Sequence, residues 1–475
     1  MQTPRQAFLD DLRFRGQLHQ CTHEAELAAH LASPPAGTPG GRRAYAGFDP
    51  TADSLTIGNL VPIIALRRFQ LAGHTPVVVM GGGTGLIGDP SGKTAERTLR
   101  TREEVDANVQ AQSRIFRRIL DFTGPTAAVM VNNIDWLGGL SYLDALRDVG
   151  KHFSVNMMIQ KESVKERLHN RDQGISYTEF SYMILQAYDF YHLWKTMGVT
   201  LQLGGSDQFG NIVVGIDLIR RMGARDVMSQ QPWLATPGAP SSRVVDMPQL
   251  DAVFGATWPL VTKSDGGKFG KTESGAIWLT ARQNDADTSP CRTSPFAFYQ
   301  FWLNTADADV VKFLKTFTFL SHEEITDLAA RHAADPGKRE AHAALARHMT
   351  ELLHGPEELE KVELATKALF SKGGGADGGG DGPFVLPEDL LSSAPTTTHD
   401  KALLAGQGMP LVDLLALTSL AKSKTEARTN LSQNAISVNG RLAAADARVT
   451  EATLLPGGLI ALRRGKKTWH ITKWA

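Results

Sequence analysis

The chain has 475 residues but only two cysteines, Cys21 and Cys291. A pair so far apart gives no disulfide framework and no Cys-x-x-Cys metal site. The fourteen histidines show no metal-ligand spacing and read as scattered surface and core side chains. No apolar run approaches the ~20 residues that span a membrane. The N-terminal segment carries Asp10 and Asp11 and no apolar signal core, which argues against export. Neither sign of charge is in excess, since 50 Lys and Arg balance 50 Asp and Glu. Nothing global therefore advertises nucleic acid, and any basic surface has to be local. No Ser-His-Asp or Cys-His arrangement asks for a protein nucleophile. The expectation is a cytoplasmic protein without membrane contact.

What is present is enough apolar material for a sizeable core, 42% of all residues. The length suggests about three domains at roughly 150 residues each. Strand and helix patterns alternate through the first half. Tyr45-Ala-Gly-Phe48 reads as a short strand, and a helix pattern runs from about Ile57 to Leu71. Thr75-Pro-Val-Val-Val-Met80 is an apolar run of the kind buried in a parallel sheet. Thr101-Arg-Glu-Glu104 is a capping box that opens a helix reaching about Phe122. Ala127–Val131 and Val199–Leu203 read as further strands. This alternation predicts an α/β fold with a doubly wound parallel sheet, whose ligands sit beyond the carboxyl ends of the strands.

From about Ser294 to Phe370 the strand pattern gives way to helices, with a second capping box at Ser321-His-Glu-Glu324 and breaks at Pro336-Gly337 and Gly355-Pro356. Lys372–Pro383 is glycine-rich, and residues 371–408 read as a flexible linker. The tail, residues 409–475, holds ten Lys and Arg against four Asp and Glu. A local basic module after a linker points to nucleic-acid backbone contact, or else to a solvated surface with no partner.

Two distant segments carry the chemistry. Asp49-Pro-Thr-Ala-Asp-Ser-Leu-Thr-Ile-Gly-Asn59 can bring a polar helix start up to a nucleotide. About 210 positions downstream, Lys268-Phe-Gly-Lys-Thr272 places two lysines three apart on a glycine-containing stretch. Lysines of this kind suit a reaction at an α-phosphate from which pyrophosphate departs. Together the two segments imply an enzyme that makes an adenylate. On the helix pattern Thr178–Trp194, Tyr182, Gln186 and Asp189 share one face amid apolar neighbours. A buried polar stripe is expensive unless something satisfies it, either a core network or a ligand. The run Met80–Thr94 resembles a phosphate loop but is not a Walker A, because Ile87 stands where the first glycine is required. Its Asp89 could bind an amine, and Lys93 and Arg97 could contact phosphate. In Gly204-Gly-Ser-Asp-Gln208, Asp207 and Gln208 could take ribose or substrate polar groups. Alternatively, Ser206 or Asp207 could simply cap a helix.

Assembled, these residues resemble the bacterial-type tyrosyl-tRNA synthetases, from about residue 40 to the C-terminus. The stretches that carry the resemblance are Tyr45–Leu55, Ile87–Ser91, Glu179–Phe190, Gly204–Gln208 and Lys268–Thr272. The resemblance implies a Rossmann-like catalytic domain over 1–290 and an all-helical anticodon-side domain over 291–370. After the linker it implies a small α+β RNA-binding module over 409–475. It places tyrosine among Tyr45, Asp89, Tyr182, Gln186, Asp189 and Gln208. ATP falls near Gly47, Asp49, Gly58, Gly205, Asp207 and Lys271. Lys268, Lys271, Thr272, Thr51, Thr56, Asn59, Lys93 and Arg97 take catalytic roles. Magnesium accompanies ATP without a protein-built metal site, and the partners are tRNA(Tyr) and a second copy of the chain. One departure stands out. The family's His-Ile-Gly-His appears here as Thr56-Ile-Gly-Asn59, which keeps hydrogen-bonding groups but no charge. Two competing readings remain. A tryptophanyl-type relative fits Tyr45 and Asp189 less well, and a synthetase-like RNA-binding protein such as a splicing factor leaves Lys268 and Lys271 unexplained.

Overall fold

The computed structural model describes residues 7–34, 40–88, 100–161, 164–165, 175–229, 252–264, 266, 269–272, 275–282, 287–370, 395–465 and 468–475. For 224–229, 271–272 and 367–370 only the backbone is described. The chain forms two compact units. One comprises Met1–Thr280, Asn284–Arg292 and Thr305–Leu345, the other Ala281–Gln283, Thr293–Asn304 and Ala346–Ala475.

The first unit is built on a six-stranded sheet: β1 (Gln20–Cys21), β2 (Arg43–Phe48), β3 (Thr75–Met80), β4 (Val129–Asn132), β5 (Val199–Gly205) and β6 (Phe254–Trp258). The strand order is β1-β6-β5-β2-β3-β4. β2 to β6 run parallel, and β1 is an antiparallel edge on β6. All six residues of β3 are buried, as the apolar run requires for a strand inside a parallel sheet. The chain winds outward from β2 to β3 and β4, then returns to lay β5 on the other side of β2. That reversal opens a crevice at the carboxyl ends of β2 and β5. β1 and β6 escape sequence reading, the first because two residues show no period and the second because Phe254-Gly-Ala-Thr-Trp258 mixes small and aromatic residues.

The helix expected from Ile57 begins as a 3₁₀ turn, Ile57–Asn59, and continues as an α-helix over Leu60–Leu71. Both capping boxes form: Glu104 N donates to Thr101 Oγ1 at 3.2 Å, and Glu324 N to Ser321 Oγ at 3.1 Å. The helix Tyr177–Met197 ends on Gly198, whose φ of 65° is the left-handed C-cap that suits glycine. Phe190 and Trp194 on that helix are fully buried in the core with Ile212 and Ile219.

The helix Asp307–Phe317 ends on two buried arginines. Arg68 Nη2 donates to the carbonyls of Lys315, Thr316 and Thr318 at 2.9, 3.0 and 3.0 Å. Arg15 donates to those of Thr318 and Leu320 at 3.1 and 2.7 Å. Carbonyls at a helix C-terminus have no partner within the helix and carry the negative end of its dipole, so cations belong there. Asp11 balances the pair, 2.7 Å from Arg15 Nε. Burial pushes its carboxyl up, but the Arg15 and Arg68 guanidiniums outweigh that and hold its pKa below the ordinary value.

In the second unit the tail forms a five-stranded sheet, in the order Arg441–Leu442, Ile436–Val438, Leu459–Arg464, Thr468–Trp474 and Thr396–His399. The helices Leu411–Ala416 and Lys424–Ser432 pack into its core. The linker assignment over 371–408 needs correction from Thr396 onward. Thr396–His399 pairs in parallel with Ile471–Trp474, and Leu404 is buried in the core of the tail. Composition missed this because a single strand of threonines, half exposed, looks like coil. Among the described residues no helix is long and apolar enough to cross a membrane.

Candidate active site

A cleft of about 430 Å³ opens at the strand-order reversal. β2 contributes Tyr45 and Gly47 and runs on to Asp49 and Thr51, while β5 contributes Gln202 and Gly205 and runs on to Asp207 and Gln208. The helix Tyr177–Met197 adds Tyr182, Gln186 and Asp189, and the turn at its far wall adds Gly58 and Asn59. The stripe read on one helical face is therefore turned into the cleft. A side chain at Gly47 would meet nothing within 4 Å, so the glycine keeps open space there.

One hydrogen-bonded chain joins the floor of the cleft. The Tyr182 hydroxyl donates to Asp49 Oδ2 at 3.1 Å, and Thr84 Oγ1 donates to Asp49 Oδ1 at 3.0 Å. Asn133 Nδ2 donates to Thr84 Oγ1 and to Asp189 Oδ2, both at 3.0 Å. Trp136 Nε1 closes the chain on Asp189 Oδ1 at 2.7 Å. Gly81 makes this possible, because a Cβ there would lie 2.4 Å from Asp49 Oδ1. A second cluster links Gln186, Gln208 and Asn211: Asn211 Nδ2 donates to Gln186 Oε1 at 2.9 Å, and Gln186 Nε2 to Gln208 Oε1 at 3.2 Å.

Asp189 is 4% exposed, and burial pushes its carboxyl from an ordinary 3.8 to about 7. The bonds from Asn133 and Trp136 work the other way, and the nearby Asp49 adds to the rise. Tyr45 is 2% exposed, its hydroxyl has no hydrogen-bond partner among the described residues, and burial beside Asp189 holds its pKa well above the ordinary value. Its ring lies 5.2 Å from that of Phe190.

The two segments far apart in sequence meet. Ile57 N donates to Ile277 O and Ile277 N to Gly270 O, both at 3.0 Å. Gly270 has φ 80°, and a Cβ on it would lie 2.5 Å from Ile57 Cγ2, so only glycine fits this close approach. Lys271–Thr272 then pairs with Gly275–Ala276 as a short hairpin. Asn59 lines the cleft and Thr56 does not. Asn59 Oδ1 accepts from Thr56 N at 3.0 Å and from Thr56 Oγ1 at 2.9 Å, so the threonine fixes the asparagine. Among the described residues neither Ser206 nor Asp207 stands at the N-cap of the turn that follows β5. The turn Ser206–Gln208 starts from Gly205 with no side-chain cap, and Asp207 Oδ2 accepts from Gln208 Nε2 at 3.2 Å. Asp89, Lys93, Arg97 and Lys268 lie outside the described residues, and for Lys271 and Thr272 only the backbone is described.

Sequence reading missed Thr84, Asn133, Trp136 and Asn211. Asn132-Asn133 directly after a strand was the available signal, since ligands in such sheets gather at strand ends. Spacing along the sequence did not reveal one cluster among the described residues. Asp307, His332 and His342 bring candidate metal-binding atoms within 4.8 Å of one another, away from the cleft. Arg339 stands 4.0 Å from the same Asp307 carboxylate and already supplies a cation.

A family model for the class I tRNA synthetases (W and Y) matches residues 40–371. A model for the tyrosine–tRNA ligase SYY-like C-terminal domain matches 388–472. The chain belongs to the class I tRNA synthetases of the W and Y group and is an aminoacyl-tRNA ligase. Within that group it falls among the tyrosine–tRNA ligases. It is 46% identical to the tyrosine–tRNA ligase of Opitutus terrae over 467 residues, 98% of this chain and 99% of that one. It is 46% identical to that of Aliivibrio fischeri over 474 residues, 99% and 100% of the two chains. A C-terminally truncated Aspergillus nidulans mitochondrial tyrosyl-tRNA synthetase matches with a TM-score of 0.62 at 30% identity, over 77% of this chain and 95% of that chain.

The raised pKa of Asp189 sets a pH dependence for the empty protein. Between 3.8 and about 7 the folded chain keeps a proton that the unfolded chain has released. The stabilisation is fully present below 3.8 and is lost as pH rises through about 7, on the order of 1.4 kcal/mol per pH unit within that window. Asp189→Asn should flatten this slope in urea unfolding measured across the range. Parallel slopes for the two proteins would count against a buried, protonated Asp189.

Proposed function

We propose that the cleft binds L-tyrosine with its phenol between Tyr45 and Asp189, and ATP along Gly47, Gly58 and Gly205. The observation that carries this is the Tyr45 hydroxyl, buried and, among the described residues, without a partner beside a buried carboxylate. An unpaired buried hydroxyl is costly, so an acceptor is wanted there. A phenol oxygen accepts from Tyr45 while its own proton goes to Asp189. An indole N–H could donate to Asp189 but could accept nothing from Tyr45, which favours tyrosine over tryptophan. Asp49, Asp207, Gln186 and Gln208 supply acceptors and donors for the substrate's ammonium and carboxylate and for the ribose.

The reaction runs in two steps. A carboxylate oxygen of tyrosine attacks the α-phosphorus of ATP, the bond to the β-phosphate breaks, and pyrophosphate leaves with its magnesium. A ribose hydroxyl at the 3′ end of tRNA then attacks the tyrosyl carbonyl and AMP leaves. No protein nucleophile is needed, and the protein's part is positioning and charge stabilisation. Asn59, its oxygen occupied by Thr56, has amide N–H groups left for a phosphate or ribose oxygen. Lys268 and Lys271 neutralise the departing pyrophosphate, with Thr272, Thr51, Lys93 and Arg97 in support. Asp89 faces the amino group.

We assign residues 1–290 to catalysis, 291–370 to the anticodon side except that Thr305–Leu345 packs in the first compact unit, and the tail to RNA, in a cytoplasmic homodimer. The dimer reading draws on an exposed apolar stretch. Tyr142, Leu143, Val155, Met157 and Ile159 are 63, 76, 56, 41 and 40% exposed. Leu143→Glu should convert a dimer into a monomer in sedimentation velocity, and an unchanged sedimentation coefficient would place the dimer contact elsewhere. The tail has fewer free cations than its composition implies. Arg463 is buried over Trp469, Lys424 pairs with Asp413, and Arg464 pairs with Glu426. Lys422, Arg428, Arg441 and Lys473 are exposed. Replacing Lys422 and Arg428 by Ala should lower the log–log salt slope of tRNA binding by roughly 1.4 to 1.8 and leave pyrophosphate exchange intact. An unchanged slope would remove these two from the RNA surface.

Pyrophosphate exchange driven by each of the twenty amino acids tests the substrate. Tyr45→Phe should narrow the preference for tyrosine over phenylalanine in kcat/KM by roughly ten- to a hundredfold, the worth of one buried hydrogen bond. A preserved ratio would disprove the placement of the phenol.

A further inference from the structure

The helix Asp307–Phe317 lies in the first compact unit, and none of its residues lines the cleft. Yet one of its faces holds the chain on both sides of Lys268. At its first turn Asp309, 4% exposed, accepts from Ser264 N at 3.0 and 3.1 Å and from Ser264 Oγ at 3.0 Å. One turn on, Lys312 Nζ donates to Thr262 O at 3.0 Å. On the next two turns Phe313 and Phe317 receive Phe269, with ring centroids 5.0 and 5.1 Å away. Residues 309, 312, 313 and 317 recur at helical spacing, so the contacts come from a single stripe.

Only four residues separate Ser264 from Phe269, and Lys268 is the last of them. Lys271 follows Phe269 by two positions, just beyond Gly270, which is seated against Ile57. The far end of the same helix is held by Arg68. Arg68 belongs to the helix that begins directly after Ile57-Gly58-Asn59. The helix therefore ties the lysine segment and the Thr56–Asn59 segment to one rigid reference.

We infer that Asp309 is a positioning residue for adenylate formation. Its carboxylate holds Ser264, and Phe313 and Phe317 hold Phe269, so the chain is anchored on both sides of the stretch that carries Lys268. This rests on the role proposed above for Lys268 and Lys271. A carboxylate that shares one backbone N–H between its two oxygens and also accepts a hydroxyl is a two-point anchor, and charge-assisted bonds are stronger than neutral ones. Stiffness matters because a small misplacement of a group that acts in the transition state is paid in rate rather than in substrate binding.

The test is a double-mutant cycle on the full-length enzyme, read by single-turnover adenylate formation and by equilibrium tyrosine binding. Lys271→Ala should slow activation. Asp309→Ala should slow it by roughly tenfold or more and leave the tyrosine dissociation constant unchanged. Asp309→Asn, which retains one acceptor, should recover part of the loss. In the Lys271→Ala background the Asp309→Ala effect should shrink, because the part that acts through Lys271 is already gone. Where Asp309→Ala does not fold, Phe269→Leu at the second anchor enters the same cycle with the same expectation. Additive losses alongside an effective Lys271→Ala would overturn the positioning role and leave the lysine reading standing. A silent Lys271→Ala would overturn the lysine reading, and the positioning role with it. A weakened tyrosine affinity matching the rate loss would show Asp309 to be structural only.

Discussion

Two carboxylates, Asp49 and Asp189, sit at the bottom of one cleft, joined through Thr84 and Asn133. Much of the site follows from this arrangement. Burial of the Asp189 carboxyl disfavours its charge, the half-buried Asp49 adds to this, and Asp189 holds its proton to about 7. The cost is met by donors from four elements. Tyr182 comes from a helix, Thr84 from the exit of β3, Asn133 from the exit of β4, and Trp136 from the turn after it. Removing any one donor would leave a buried acceptor short of a partner. The network therefore fixes the relative placement of the strand ends as well as the chemistry of the pocket floor.

The same network explains why glycine appears where it does. Gly81 lets Asp49 approach the β3 exit, and Gly82 leaves room for Asn132, whose Oδ1 would lie 2.1 Å from a Cβ. A glycine-rich run after a strand suggests a phosphate loop at first sight. Here at least part of it serves to admit side chains of neighbouring strand exits.

The parallel sheet and its crevice were legible because β3 is continuously apolar and helices intervene at regular spacing. The stripe on Tyr177–Met197 was legible because three polar residues at helical spacing stand among buried aromatics. Asn133 and Trp136 were not, since each is a single residue in a short irregular turn with no period to mark it. The tail's charge was legible and its meaning only partly so. Arg463 spends its cation on Trp469 and Arg464 on Glu426, which no count of residues reveals. The strand Thr396–His399 was hidden for a related reason: its pairing partner lies more than 70 residues away.

The neutral Thr56–Asn59 pair shows how a histidine-based signature can be replaced without breaking the fold around it. The position needs a group that closes the turn before the helix and a donor that reaches the cleft. Asn59 does both. Its oxygen takes the Thr56 N–H and O–H, which satisfies the turn internally, and its amide nitrogen stays available. An imidazole could serve as the donor, but it would also titrate near neutral pH. With Thr and Asn the segment keeps one charge state across that range, and on the proposed function the electrostatic work at the phosphates passes to the lysine segment. That segment is bound to the same turn through Gly270, Ile277 and Ile57. On the proposed function, loss of charge in this turn makes accurate placement of the segment tied to it matter more.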